Sequence, residues 1–308
     1  MRTVTLLAGG AGGAKLAKGI NELENIKLNI IGNIGDDEEF HGLWVSPDID
    51  SVTYMLSGRI NRAQGWGVKD EGRRALDTLE ELGSDVWMHL GDRDLGLHVY
   101  RTNQLKNGVR LSEITKFVAD KFKIKANIIV PTDDRVQTIV RTGSGWLRFQ
   151  EYFVREKATP RVINVAYQGS ELAEANEEAI TALLDSDLIV IGPSNPFLSI
   201  GPIISLQKIL DALKNSRATK VAVSPIIGGK AIKGPLAGMM TSLGYECSVC
   251  GFAKYYNGFI DVAVIDEKDA ALKPQVDGIM SCVAMNTIMD NEEQKIRFAH
   301  QLIEKFLG

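Results

Sequence analysis

The chain has 308 residues, of which 44% are hydrophobic and 24% charged, and its formal net charge is -4. This is the composition of an ordinary globular protein, and it disfavours a nucleic-acid partner, which a basic excess would indicate. No apolar segment reaches the length of a membrane span, and the N-terminus lacks the long apolar run of a signal peptide. We therefore expect a cytoplasmic protein with no membrane partner. Three cysteines are too few for a disulfide framework, and Cys247 and Cys250 have no second ligand pair to complete a zinc site.

A glycine-rich loop follows the first apolar run of the chain. Residues 8–15 read Ala-Gly-Gly-Ala-Gly-Gly-Ala-Lys and open an amphipathic segment, which predicts a strand, a tight turn and a helix start. Glycine amides at a helix N-terminus favour a phosphate, so Gly10, Gly12, Gly13 and Lys15 are candidate nucleotide contacts. The spacing fits neither the dinucleotide nor the P-loop fingerprint, which disfavours NAD and ordinary P-loop chemistry. The alternative is a turn whose glycines only allow close packing.

Two acidic pairs follow this loop. The second predicted strand runs into Asp36 and Asp37, where a doubly wound sheet places its ligand-facing acid. The proline before Asp48 favours an extended backbone, in which Asp48 and Asp50 project from one face. Four carboxylates near one anion site repel each other unless a cation intervenes, which predicts Mg²⁺. The alternative is that Asp48 or Asp50 caps a helix that begins at Ser51.

The remaining pattern predicts the fold class. Helical periodicity from about 51 to 125 indicates a helical insertion, in which Arg93 is a candidate phosphate contact or else a salt-bridged surface arginine. Residues 136–142 and 146–153 predict a small antiparallel hairpin. The order of elements predicts a single α/β domain over 1–308, with a Rossmann-like, doubly wound, mostly parallel sheet that carries the helical insertion and the hairpin.

Two later strand ends repeat the pattern of small and polar residues before a helix. The residues after the first of them are candidate nucleotide contacts: Ser194, Asn195 and Pro196. A base or ribose site is predicted there, with Asn195 forming two hydrogen bonds. Gly228 follows the next strand, in a loop where Lys230 and Lys233 add positive charge to the phosphate site. The alternatives are a Pro-rich connection for the first loop and a solvated surface for the lysines.

Several blocks of the sequence together resemble one known family. They occupy residues 9–15, 33–37, 46–50, 65–67, 90–94, 192–196, 199–203 and 224–228. In this order they resemble the 2-phospho-L-lactate transferases of deazaflavin coenzyme biosynthesis, the CofD and FbiA proteins, up to about Gly238. The resemblance implies a Rossmann-like homodimer that joins a phospholactyl-type group, carried on a guanosine diphosphate-linked donor, to the deazaflavin Fo. GMP is released and a precursor of coenzyme F-420 is made.

The resemblance also assigns residues to roles. It implies a metal site on Asp36 and Asp50, with nucleotide contacts on the glycine loop and on residues 194–196. Beyond the resemblance, the chemistry of phosphoryl transfer leads us to predict that Asp48 orients the attacking hydroxyl and that Arg93 and Lys15 stabilise phosphate charge. The donor is left open between a lactyl, an enolpyruvyl and a glyceryl moiety, because these differ by only a few atoms.

Two other functions stay open at this point. One is a nucleotide-sugar-binding regulatory protein on the same fold, whose members lack the Ser-Pro-Asp-x-Asp block that ends at Asp50. The other is an NAD-dependent oxidoreductase, which the absence of a third glycine at Lys15 disfavours. The sequence further predicts that Gly12→Val removes nucleotide binding but leaves the fold largely intact, and that Asp50→Asn lowers transfer with little change in thermal stability.

Overall fold

The structure is a computed structural model that describes residues 1–61, 64–231 and 234–308. Strands alternate with helices along these residues. The strands are β1 (Arg2–Ala8), β2 (Ile26–Gly32), β3 (Glu38–Phe40), β4 (Leu43–Val45), β5 (Asn127–Ile129), β6 (Gln137–Thr142), β7 (Gly145–Arg148), β8 (Asn164–Gln168), β9 (Leu188–Ile191), β10 (Thr219–Val223), β11 (Ile226–Ile227), β12 (Lys230–Ala231), β13 (Val262–Asp266) and β14 (Ser281–Met285). The helices are α1 (Gly10–Asn21), α2 (Pro47–Leu56), α3 (Arg74–Glu81), α4 (Asp92–Lys106), α5 (Leu111–Lys121), α6 (Glu177–Leu184), α7 (Gly201–Ile204), α8 (Gln207–Asn215), α9 (Leu236–Ser242), α10 (Val249–Tyr256), α11 (Lys273–Asp277) and α12 (Glu292–Leu307).

A parallel sheet of seven strands forms the centre of the described part of the chain. Its strand order is β5-β2-β1-β9-β10-β13-β14, and every neighbouring pair is parallel. The chain moves outward from β1 to β5 on one side and from β9 to β14 on the other, so the order reverses between β1 and β9. Doubly wound sheets bind ligands at the carboxyl ends of the strands beside such a reversal. The predicted α/β, Rossmann-like fold is confirmed.

Continuous apolar runs form the central strands because both faces of the sheet are covered. All four residues of β9 are buried, as are the last five of β1. Helix α1 packs against α2 and α12, and α6 packs against α8. Right-handed crossovers run in opposite directions on the two sides of the reversal and therefore place helices on both faces. An added Cβ on Gly19 would overlap the carbonyl of Lys295, so this glycine lets α12 approach α1 closely.

The helical segment between β4 and β5 begins earlier than the sequence pattern predicts. Helix α2 starts at Pro47 rather than at Ser51, because proline fits the first turn of a helix. Asp48 and Asp50 therefore lie about 200° apart around the helix axis. The expectation that an extended backbone would project both carboxylates from one face is wrong. Helices α2, α3, α4 and α5 fill the region of the predicted insertion.

A small antiparallel sheet stands beside the parallel one. Strands β6 and β7 form the predicted hairpin, and β8 pairs antiparallel with β6. The second hairpin strand is shorter than predicted, since β7 ends at Arg148 and a π-helical turn spans Glu151–Arg155. Across the described ranges no single helix is long and apolar enough to cross a membrane, although one bent pair, Pro196–Ile204 with Gln207–Asn215, passes that test of length and composition.

Candidate active site

The loops that follow β1 and β9 meet where the sheet order reverses. The two strands pair in parallel up to Leu7 opposite Ile191. Just beyond, the Ser194 hydroxyl donates a hydrogen bond to the Gly9 carbonyl at 2.7 Å. Helix α1 begins at Gly10, directly after this contact. Its positive end therefore lies in the crevice where doubly wound sheets hold anionic ligands.

The glycines of this loop bring α1 close to the two strand ends. An added Cβ on Gly12 would overlap the carbonyl oxygen of Pro193, and one on Gly13 would lie 2.8 Å from the Ala8 Cβ. Gly10 has a φ of 64°, in the left-handed region that favours glycine. Close packing therefore accounts for Gly12 and Gly13, and their predicted role in nucleotide binding stays a prediction.

Substitution of Gly12 is expected to destabilise the protein, contrary to the intact fold that the sequence predicts. In Gly12→Ala the new methyl group meets a backbone carbonyl, so we expect the free energy of unfolding in urea to fall by about 1–3 kcal/mol. Gly96→Ala is the matched control, because this glycine also lies in a helix and an added Cβ meets no described atom within 4 Å. The control is expected to gain about 0.5–1 kcal/mol. Wild-type stability of Gly12→Ala would contradict the packing role.

Asp48 lies against the N-terminus of α1. Its Oδ1 accepts a hydrogen bond from the Gly10 amide at 2.7 Å, and its Oδ2 accepts one from Asn33 Nδ2 at 2.8 Å. Asn33 is fully buried, donates to the Leu198 carbonyl at 3.3 Å and accepts from the Gly35 amide at 2.8 Å. Asn33 thus joins the loops after β2 and β9 to the carboxylate. Burial raises the pKa of Asp48 above its ordinary value, and the hydrogen bonds from Asn33 and Gly10 offset only part of this.

Asp36 and Asp37 are buried after the end of β2. Their Oδ1 atoms have no hydrogen-bond partner within the described residues, whereas Asp37 Oδ2 accepts from Ser46 Oγ at 2.6 Å and from Trp44 Nε1 at 3.3 Å. Burial, followed by the neighbouring charge of Asp48, raises the pKa of Asp36 well above its ordinary value. Burial likewise raises the pKa of Asp37. Oxygen ligands of this kind suit a hard divalent cation.

Asp50 forms a buried ion pair. Arg101 Nη1 donates to Asp50 Oδ2 at 3.1 Å and Nη2 donates to Oδ1, with the two side chains 5% and 3% exposed. Burial opposes the charged form of Arg101, but Asp50 outweighs this and raises the pKa of Arg101 above its ordinary value. The N-cap of α2 is Ser46, so the alternative that Asp48 or Asp50 caps this helix is wrong.

Helix α4 presents three polar side chains to α2, at the spacing of one helix face. Tyr54 Oη donates to Asp94 Oδ1 at 2.5 Å. The same Asp94 oxygen lies 3.3 Å from His98 Nε2, and the other ring nitrogen, His98 Nδ1, lies 3.4 Å from Arg101 Nη1. Asp50, Asp94 and His98 offer atoms within 4.8 Å of one another, a grouping able to hold a cation. The Arg101 guanidinium already supplies positive charge there. Sequence reasoning missed His98 and Arg101; the available signal was the spacing of Asp94, His98 and Arg101 at i, i+4 and i+7, which places the three on one helix face.

Two side chains predicted to stabilise phosphate charge make contacts with other parts of the chain. Arg93 is exposed in the first turn of α4, and its Nη1 is 3.5 Å from the Lys69 carbonyl. Lys15 is half-buried in α1, and its Nζ is 3.8 Å from Asp290 Oδ1. The roles of Arg93 and Lys15 on phosphate stay predictions.

The loop after β9 uses its polar side chains partly within the protein. Asn195 Oδ1 accepts from the amides of Phe197 and Leu198 at 2.9 and 3.2 Å and so caps the π-helical turn Pro196–Ile200. The Pro196 carbonyl accepts from Tyr255 Oη at 3.2 Å. A nucleotide contact by Asn195 would therefore use its Nδ2 group, because Oδ1 already holds two donors.

The loop after β10 is closed by a carboxylate. Gly228 and Gly229 both have positive φ, and their amides donate to Asp269 Oδ2 and Oδ1 at 2.7 and 2.9 Å. The Gly228 amide is thus engaged by an anionic group of the protein itself. Lys230 is exposed, and Lys233 lies outside the described residues.

Comparison with known proteins identifies the family. The sequence profile described as 2-phospho-L-lactate transferase CofD matches residues 4–301. The 2-phospho-L-lactate transferase of Methanopyrus kandleri is 38% identical over 312 residues, covering 99% of both chains. That of Methanocaldococcus jannaschii is also 38% identical, over 98% of this chain and 97% of its own. This chain belongs to the CofD family of 2-phospho-L-lactate transferases. The resemblance found in the sequence is confirmed, and the chain is a transferase.

The CofD-family chain shares its fold with a solved structure of low sequence identity. A protein of the UPF0052 family from Bacillus halodurans superposes with a TM-score of 0.63, with 100% of both chains covered and 14% identity. Identity at this level shows the fold alone.

The buried acids predict how the stability of this CofD-family protein depends on pH. Burial raises the pKa of Asp36, Asp37 and Asp48, so the folded state holds these protons more tightly than the unfolded state. Their contribution to the free energy of unfolding therefore decreases as pH rises from the ordinary aspartate value of 3.8 through the raised values. In EDTA, the Tm of Asp36→Asn minus that of the wild type is expected to increase from about pH 4 to pH 8. A difference that stays constant across this range would contradict it.

Proposed function

We propose that this chain transfers a 2-phospholactyl-type group from a guanosine diphosphate-linked donor to the deazaflavin Fo, with release of GMP, in coenzyme F-420 biosynthesis. The observation that carries the proposal is that the glycine loop and the carboxylates of Asp36 and Asp48 meet beside the reversal of the sheet. Membership of the CofD family supports the reaction class, and the relatives from Methanopyrus and Methanocaldococcus support the identity of the transferred group. The lactyl, enolpyruvyl and glyceryl donors are all candidates.

The donor binds in the crevice between the loops that follow β1 and β9. Its diphosphate lies at the N-terminus of α1, beside Gly12 and Gly13, where the helix end favours negative charge, while the Gly10 amide donates to Asp48. The guanosine lies towards Ser194, Asn195 and Pro196, with Gly228 at the neighbouring strand end. Support comes from the Ser194 hydrogen bond to Gly9, which holds the two loops together at this point.

Magnesium fits the acidic residues beside this crevice. Asp36 Oδ1 is buried and has no hydrogen-bond partner within the described residues. The metal-ligand atoms available around it are carboxylate oxygens, which Mg²⁺ prefers. Asp36 and Asp50 would hold the ion, with Asp50 sharing its carboxylate between the ion and Arg101. When bound, the ion neutralises charge on the phosphates during transfer.

The transfer itself requires positioning more than strong acid or base catalysis. A hydroxyl of Fo attacks the phosphorus nearer the lactyl group, the bond from that phosphorus to the GMP oxygen breaks, and the hydroxyl proton passes to solvent. Asp48 orients the hydroxyl: its oxygens accept from Gly10 and Asn33 and keep further lone pairs to accept from the substrate. Lys15 and Arg93 stabilise phosphate charge as the bond to GMP breaks.

We also propose, from the family resemblance, that the protein is a cytoplasmic homodimer. Light scattering on the purified protein measures the number of chains per particle. A mass of one chain at micromolar concentration would contradict the dimer and leave the proposed reaction unaffected.

The proposed reaction is tested by mixing the protein with guanosine diphosphate-linked 2-phospholactate, Fo and Mg²⁺. We expect GMP to appear in equal amount to a phosphorylated product that carries the Fo chromophore, and none when Fo is omitted. GDP is expected to raise the Tm of the protein, whereas UDP-sugars and NAD leave it unchanged. Absence of Fo-dependent GMP release with the lactyl, enolpyruvyl and glyceryl donors would refute the transferase proposal. A Tm shift with UDP-sugars alone would favour the regulatory alternative.

A further inference from the structure

We propose that Arg101 is a positioning residue for the transfer: it fixes the carboxylate of Asp50, and it is itself fixed by His98, Asp94 and Tyr54. The inference rests on the proposed function and adds a residue of α4 to the machinery of the site. Arg101 lies 51 residues after Asp50 in the chain and outside the glycine loop and the acidic loops.

The contact between Arg101 and Asp50 defines the orientation of the carboxylate. Two guanidinium nitrogens face two carboxylate oxygens, a bidentate geometry that fixes both the plane and the position of the acid. Nη1 also lies 3.4 Å from the Trp44 carbonyl, so the guanidinium is tied to the backbone of β4. A lysine supplies the charge but has no planar fork to hold the carboxylate in this way.

A chain of contacts on α4 holds the guanidinium in turn. Arg101 Nη1 lies 3.4 Å from His98 Nδ1, and the other ring nitrogen, Nε2, lies 3.3 Å from Asp94 Oδ1. The same Asp94 oxygen accepts from Tyr54. Burial raises the pKa of Asp94, but its contacts with His98, Tyr54 and Arg101 outweigh burial and hold that pKa below its ordinary value. The contacts therefore run from Arg101 through His98 to Asp94 and Tyr54.

These contacts also fix one helix against another. Asp50 and Tyr54 are four residues apart on α2 and therefore share a face, and their partners Arg101 and Asp94 are seven residues apart on α4. The two polar contacts lie one turn apart on α2 and restrain its rotation about its axis relative to α4. Because Asp48 lies on the first turn of the same helix, its contact with the Gly10 amide depends on this orientation as well.

The metal alternative for the same side chains is weaker. Asp50, Asp94 and His98 are close enough to hold a cation, but between α2 and α4 the Arg101 guanidinium already supplies the positive charge that faces Asp50, and Asp94 Oδ1 already accepts from Tyr54. The structure therefore favours arginine as the positive group between α2 and α4.

The test compares Arg101→Lys and Arg101→Ala with the wild type in the GMP-release assay. We expect kcat to fall about 100-fold in both, since a displacement of about 1 Å costs this much, while the KM for the donor changes little. Ethylguanidinium is expected to restore part of the kcat of Arg101→Ala and to raise its Tm, whereas ethylammonium does neither. Arg110→Ala is the matched control, an exposed arginine of the same helical segment, and keeps the wild-type kcat.

Tyr54→Phe tests the far end of the chain of contacts if Arg101→Ala fails to fold. It removes one hydroxyl and is expected to lower kcat several-fold, with the wild-type KM for the donor. Wild-type kcat in Arg101→Lys, or a folded Arg101→Ala whose kcat ethylguanidinium leaves unchanged, would overturn the positioning role. An inactive wild type would instead refute the proposed function, so the two failures are distinguishable.

Discussion

Asp36→Asn is expected to lower the rate of GMP release by two or more orders of magnitude while the folded protein remains at least as stable as the wild type. Asparagine keeps the shape of the side chain but removes the charge proposed to hold Mg²⁺, and the ion neutralises charge in the transition state. Stability does not suffer, because burial and the charge of Asp48 already disfavour the ionised Asp36. The measurements are GMP release at several Mg²⁺ concentrations and thermal unfolding.

Glu39→Gln is the matched control for this experiment. Glu39 is exposed, lies three residues from Asp36 and loses the same charge on substitution. We expect it to release GMP at the wild-type rate. Near-normal release by Asp36→Asn at low Mg²⁺ would show that this carboxylate is not a ligand.

Asp50→Asn is expected to reduce both activity and stability. The sequence predicts little change in thermal stability, but the structure shows that the substitution leaves the Arg101 guanidinium buried without its counter-charge. Loss of one partner of a buried ion pair costs about 3–5 kcal/mol, and we expect the lower end because asparagine still accepts one hydrogen bond. Urea unfolding and GMP release measure the two effects.

A double substitution separates the two roles of Asp50. In Asp50→Leu with Arg101→Met both charges are removed, and apolar side chains of similar volume often restore stability at such sites. We expect the double variant to unfold at a higher urea concentration than Asp50→Asn and to remain inactive. Full activity in the double variant would mean that neither the charge nor the position of Asp50 matters for transfer.

The placement of the candidate site at the sheet reversal was predictable from local patterns. The apolar runs of β1 and β9 end in glycine and small polar residues, and the carboxyl ends of parallel strands share one edge of the sheet. Asp36 and Asp37 were predictable for the same reason, since they follow the parallel strand β2. These placements could be predicted from the sequence because each depends only on neighbours within a few residues along the chain.

The partners of Asp48 and Asp50 were not predictable in this way. The directions of the two side chains depend on the residue at which α2 starts. With a start at Ser51 the two carboxylates would share one face of an extended segment, whereas with the observed start at Pro47 they point to different partners. The partner of Asp50 lies on α4, and only the packing of α2 against α4 identifies it. Similarly, the need for glycine at position 12 arises from the Pro193 carbonyl, more than 180 residues away in the chain.

Trp44 gives the protein an internal optical reporter. Its indole Nε1 donates to Asp37 at 3.3 Å, and the Arg135 guanidinium carbon is 5.6 Å from its ring centroid, so the ring lies between a carboxylate and a cation. Fluorescence from such an indole responds to a new charge at the neighbouring carboxylates. The other tryptophans are at positions 66, 87 and 146, and a Trp44→Phe protein supplies the blank spectrum. If the proposed metal ion binds beside Asp37, its arrival would be followed in real time without a labelled ligand.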